Sequence, residues 1–165
     1  MQKPPSLVRL SIVSYRKGCV YMPKRKITLL ERAEGDLETV RRLLPSSNDE
    51  VMVDICAYHC PQCAEKVAKF LILLEGKEYC IDHRSDQYLQ DLDDTEAKEL
   101  INAISHKIDS WATSIRYSRT AMSNKIAVTE VLNVCEQLVK LANDRIPPVV
   151  VESDTTIFAV VNGNG

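Results

Sequence analysis

Over residues 46–146 the chain contains one glycine, Gly76, and one proline, Pro61, out of five and seven in its 165 residues. So long a stretch with so few turn-makers lacks the tight turns of a β-sandwich or barrel, and it reads as long helices. The same scarcity removes several function classes. There is no Gly-x-Gly-x-x-Gly, no Gly-x-x-x-x-Gly-Lys-Ser/Thr and no Gly-x-Ser-x-Gly, so dinucleotide folds, P-loops and nucleophile elbows lose their central device, and no cofactor is expected. No uncharged run approaches the ~20 apolar residues of a membrane span, and the N-terminus carries no apolar segment ending in a cleavage site. A cytoplasmic protein without a membrane partner is expected.

Hydrophobic spacing divides the stretch into helices. Leu30, Ala33, Leu37, Val40 and Leu44 recur at steps of three and four, and Thr28 with Glu31 has the form of a capping box. The first helix therefore begins near Thr28 and stops at Pro45. Ser46 to Asp49 offers N-caps, with Ser47 and Glu50 at capping-box spacing. The stripe Val53, Cys56, Cys60, Cys63, Val67, Leu71, Leu74 then runs about 25 residues to Gly76, a natural C-cap. Pro61 falls inside that helix and should kink it. A polar, acidic connection over residues 77–94 has room for a short helix near 86–92. Ala97, Leu100, Ile104, Ile108, Trp111 and Ile115 form a third face; Val128, Val131, Cys135, Leu138 and Ala142 form a fourth, begun by Ser123 or Asn124 and ended by Pro147. Amphipathic helices of this length bury their stripes against one another. The expected fold is all-α, an up-and-down four- to five-helix bundle over residues 26–146, with irregular or short β-rich ends.

Charge separates the ends from the bundle. Residues 1–25 form a basic N-terminal extension; with Lys26 they hold seven basic residues and no acid, leaving a balance of −9 for the remainder. Such an arm suits nucleic acid phosphates or a solvated leader. Met22, just before Pro-Lys-Arg-Lys, also allows translation to start there. Residues 147–165 form a C-terminal tail rich in β-formers.

Cys60-Pro-Gln-Cys63 and Cys80-Ile-Asp-His83, sixteen residues apart, have the spacing of a structural zinc site. The helical context opposes it. Thirteen helical residues from Cys63 to Gly76 rise ~20 Å, and the four residues back to Cys80 recover only ~14 Å. Cys56, Cys60, Cys63 and Cys135 also occupy stripe positions, where a free thiol packs as a small hydrophobe. Buried core thiols are expected; the zinc set Cys60, Cys63, Cys80 and His83 is the runner-up. His59 reads as a helix histidine with a satisfied ring, and Lys66 and Lys69 as members of a solvated face, with Glu65 able to pair with Lys69 four residues on.

The run Cys56-Ala-Tyr-His-Cys-Pro-Gln-Cys-Ala-Glu-Lys-Val-Ala-Lys-Phe-Leu-Ile-Leu-Leu-Glu-Gly-Lys-Glu-Tyr79 resembles the second helix of HEPN domains. His83 to Leu89 stands where that family often has a His-Asp-Leu turn, and Ile115-Arg116-Tyr117-Ser118 is similar to its Arg-Tyr-Pro stretch, with Ser for Pro. The resemblance covers residues 26–145. It implies a helical bundle, commonly a homodimer, that binds nucleotides or RNA and often accompanies a minimal nucleotidyltransferase in toxin–antitoxin pairs. Some members cleave RNA through an Arg followed, after four to six residues, by a His. Before His59, His83 and His106 the positions that could hold this Arg are Met52, Val53, Asp54; Gly76, Lys77, Glu78; and Glu99, Leu100, Ile101. None is Arg, so the resemblance implies a binding module; a divergent ribonuclease toxin and a small zinc-stabilised interaction protein are the alternatives. The residues suited to the ligand are His83 and Arg84 in the polar connection, and Arg116, Tyr117 and Arg119, whose guanidiniums and ring fit a phosphate and a stacked base.

Overall fold

The computed structural model describes residues 28–147 except Asp82 and Arg116. Residues 1–27 and 148–165, and with them the readings of the basic extension, the alternative start and the β-rich ends, lie outside the described residues. Five helices follow in order: α1 (Leu29–Leu43), α2 (Glu50–Leu74), α3 (Ser85–Asp91), α4 (Thr95–Ser114) and α5 (Lys125–Asp144). Among the described residues there is no strand.

Helices α1, α2, α4 and α5 each begin where a capping side-chain oxygen satisfies a first-turn amide. Thr28 and Glu31 form the reciprocal box of α1, the Glu31 amide donating to Thr28 Oγ1 at 3.1 Å and the Thr28 amide to Glu31 Oε2 at 2.8 Å. Asp94 and Asn124 cap α4 and α5. On α2 the cap is Asp49, which accepts from the Val51 amide at 2.8 Å, and not a box between Ser47 and Glu50. The Ser47 hydroxyl is engaged one step earlier, accepting from the Asp49 amide in the turn that precedes the helix. Gly76, at φ +76°, ends α2: its amide donates to Leu73 O at 3.0 Å and that of Lys77 to Ile72 O at 3.1 Å, a pair of bonds that needs the left-handed conformation glycine adopts without strain. The helix continues through Pro61, which is buried.

Polar contacts fix the directions. Glu34 meets Asn143 and Arg41 meets Glu136, so α1 and α5 are antiparallel. Lys107 meets Glu130 and Asp94 meets Arg145, so α4 and α5 are antiparallel too. Glu75 accepts from the Asp94 amide while Asp54 accepts from Ser123, setting α2 against α4. The result is the expected up-and-down bundle, with α3 packed on α2 and α4. Its cross-section is skewed: α2 touches every other helix, whereas α1 and α4 do not touch. The central helix therefore buries most of its circumference, Ala57, Ala64, Ala68 and Ile72 as well as the predicted stripe, with Leu74 left exposed beyond it. The expected faces of α1, α4 and α5 are inside, only Leu100 and Ile115 partly so, and Ile101 joins them.

Candidate functional site

Two surfaces carry the residues that the sequence singles out. The first is the α4–α5 connection. Tyr117 stands 84% exposed at its start, Arg119 is exposed beside it, and residues 110–129 hold three basic residues and no acid. This loop is pinned. The Asp54 carboxylate on α2 accepts from the Met122 amide at 3.1 Å, the Ser123 amide at 3.0 Å and the Ser123 hydroxyl at 2.5 Å. Ser118 Oγ accepts from the Thr120 amide and donates to its carbonyl, tightening the turn. Lys125 reaches back to the carbonyls of Pro45 and Ser47 at 3.0 and 3.1 Å. A ring and a guanidinium are thus presented on a backbone held at several points. Arg116, the third residue expected here, lies outside the described residues.

The second surface is the α2–α3 connection where it crosses α2. Glu65 is only 8% exposed, and its carboxylate takes Lys69 Nζ at 2.8 Å and His83 Nδ1 at 3.0 Å from either oxygen. Lys69 is 5% exposed and also lies 5.3 Å from the Tyr79 ring centre. Alongside, buried Ser85 donates its amide and hydroxyl to Asp109 of α4 at 3.0 and 2.6 Å. Tyr88 is buried in the same region; burial, with Asp109 and then Glu65 adding negative charge, pushes its hydroxyl far above the ordinary range. Arg84, next to His83, is exposed and lies 3.5 Å from Asp86.

This arrangement corrects the reading of α2's lysines. Lys69 belongs to a buried ion pair. Lys66 is part-buried, paired with Asp36 of α1, the carboxylate that also takes His59 Nδ1 at 2.9 Å. A helix packed on all sides has little solvated face to give them. The Glu65–Lys69 pairing was visible as a four-residue spacing; its burial had no sequence signal.

The four members of the runner-up zinc set are not brought to one point. Cys60 and Cys63 are buried toward α5, where Cys135 Sγ donates to Cys60 O at 3.6 Å, while Cys80 is exposed in the connection. His83 sits on Glu65, which at ~100° per residue lies ~200° around α2 from Cys63. Among the described residues no group of three or more His, Cys, Asp or Glu is placed to hold a metal ion. No helix among them is long and apolar enough to cross a membrane.

Compared with known proteins, residues 28–145 match the family model described as HEPN domain. No curated protein and no solved structure matches the chain.

Proposed function

From the premise that the chain belongs to the HEPN domain family, we propose that it is a nucleotide- or RNA-binding module whose α4–α5 loop makes the contact. The observation that carries this reading is Tyr117, largely exposed beside Arg119 on a loop locked to α2 by Asp54. An aromatic ring held out into solvent leaves its π face open to a stacked partner. Base stacking on such a ring is sequence-tolerant and worth about 1–3 kcal/mol per base, and a neighbouring guanidinium supplies the phosphate contact. Cleavage is not part of the reading, because no His is preceded by an Arg with four to six residues between them, and scission of a phosphodiester needs a base and a cation together.

Self-association belongs to it. Val51, Ile55, Met122 and Ile126 expose apolar side chains around the Asp54 anchor. A two-fold copy laid on this face covers these apolar residues. Fluorescence anisotropy with a labelled single-stranded RNA tests the binding: Tyr117→Ala weakens it by about 1–3 kcal/mol, and Arg119→Ala lowers the salt slope by about 0.7 for one lost phosphate contact. Unchanged affinity in both variants removes the reading. Light scattering on the same samples gives a dimer mass, reduced to a monomer by Ile126→Glu; a monomeric wild type removes the dimer.

A further inference from the structure

At the end of α2 away from Asp54, apolar side chains stand uncovered. Leu73 and Leu74 are 48% and 41% exposed. The connection that follows runs back along the helix, with the Tyr79 ring centre 5.3 Å from Lys69 Nζ and His83 on Glu65. Ile81 lies between those two contacts and is 84% exposed. Single exposed apolar residues are ordinary, but Leu73, Leu74 and Ile81 gathered over the last turns of one helix mark a docking surface.

Charge selects the occupant. Residues 75–99, which border the patch, hold nine acids against three bases. Glu78, exposed between Lys77 and Tyr79, forms no ion pair with the described residues. A second copy on a two-fold axis would set this acidic border against itself. Residues 148–165 carry two acids and no base, so the border repels them as well. Residues 1–27 have the opposite sign, seven bases and no acid, and their run Leu7-Val-Arg-Leu-Ser-Ile-Val-Ser-Tyr15 supplies apolar side chains directly before Arg16 and Lys17.

Topology delivers this segment to the same end of the bundle. Helices α1 and α2 are joined by residues 44–49 alone, and Asp36 of α1 meets His59 and Lys66 of α2. The two are therefore antiparallel, and the start of α1 stands beside the end of α2. Packed helix axes lie ~8–10 Å apart, whereas the twelve residues 16–27 span up to about 40 Å when extended. The chain before α1 has ample reach to the patch.

We propose that residues 7–17 dock on the apolar end of α2 and its return connection within the same chain, the run 7–15 covering Leu73, Leu74 and Ile81, and Arg16 and Lys17 meeting the acidic border at Glu78. The contact lies at the other end of α2 from the Tyr117 loop and does not depend on the RNA reading. It also withdraws part of the basic extension from nucleic acid phosphates.

Trypsin cuts after Arg9, Arg16 and Lys17 only when this segment is released, so the initial rate follows the open fraction. In the full chain, Ile81→Ser raises that rate by roughly tenfold, the worth of one covered isoleucine side chain, and Glu78→Gln raises it by less. Both positions are exposed, so the fold is untouched. A zero-length carbodiimide links Lys17 to Glu78 or Glu75, and in a mixture of nitrogen-15-labelled and unlabelled protein the linked peptides come from one chain. Equal cleavage rates in wild type and both variants overturn the docking. Links from Lys17 chiefly to Glu34, Glu38 or Glu136 overturn its position, and links of mixed isotope overturn the single-chain contact. If cleavage slows only when single-stranded RNA is added, the segment is a nucleic acid contact and the docking is wrong.

Discussion

Cys135 is buried, as are Cys56, Cys60 and Cys63. It contacts Cys60 and Cys63 across the α2–α5 interface, and these hydrogen-bonded neighbours together with burial push its pKa well above the ordinary thiol value. Burial, and then Cys60, raise that of Cys56. A thiol reacts as its thiolate, so two independent barriers, access and protonation, protect this group. Alkylation with iodoacetamide at pH 8, followed by peptide mass spectrometry, should modify exposed Cys80 rapidly. Cys56, Cys60, Cys63 and Cys135 should react only at the rate of unfolding, which rises with urea. Labelling of Cys60 or Cys63 as fast as Cys80 contradicts the packing. These thiols were legible in the sequence because Cys56, Cys60 and Cys63, four and three residues apart, fall on the apolar stripe of α2, and Cys135 on that of α5. Lys69 was not, because a lysine's charge ordinarily places it outside. Only the skewed bundle, which leaves α2 almost no outer face, reverses that preference.

At the scale of elements, the helices were readable from stripes and caps, and the connections were not. Thr28, Gly76 and Asn124 act within a few residues of themselves, and a local pattern suffices to find them. Asp54 works across 68 residues, holding the amides of Met122 and Ser123, and no local pattern announces such a pairing. Its consequence is functional. The loop carrying Tyr117 and Arg119 is exposed and has few buried contacts of its own, so its order depends on that carboxylate. Asp54→Ala removes three hydrogen bonds to one charged group, each worth about 1.5–3 kcal/mol at the upper end, less what water restores at this partly exposed site. On the proposed binding, RNA affinity should fall although neither Tyr117 nor Arg119 is altered, and hydrogen exchange at residues 117–123 should speed up while the core of α2 stays protected. Unchanged loop exchange in Asp54→Ala would show that the anchor is redundant.

At the scale of the whole molecule, charge is unevenly spread along the sequence: residues 110–129 carry three bases and no acid, whereas residues 75–99 carry nine acids against three bases, several of them where the end of α2 meets the start of α4. The acidic end is kept together by specific partners. Glu75 accepts from the amides of Asp93 and Asp94, Asp94 caps α4 through the Ala97 amide, and Arg145 at the end of α5 reaches Asp94 at 2.9 Å and Glu96 at 3.1 Å. Burial alone would raise the Asp94 carboxyl, but the Ala97 amide and Arg145 outweigh it and hold it below the usual aspartate range. A depressed folded pKa means that the unfolded chain takes up the proton first as pH falls. The stability from this clamp is thus complete above the unfolded value of about 4, and it is lost as pH drops through the lower folded one. Asparagine caps a helix nearly as well as aspartate, so Asp94→Asn keeps the cap and deletes only the charge. Urea midpoints measured from pH 6 down to pH 2.5 should fall less steeply in Asp94→Asn than in wild type, the two curves converging at the acidic limit. Parallel curves across that range would mean that the clamp contributes through geometry alone, and that the acidic end of the bundle is held by its caps and not by its charges.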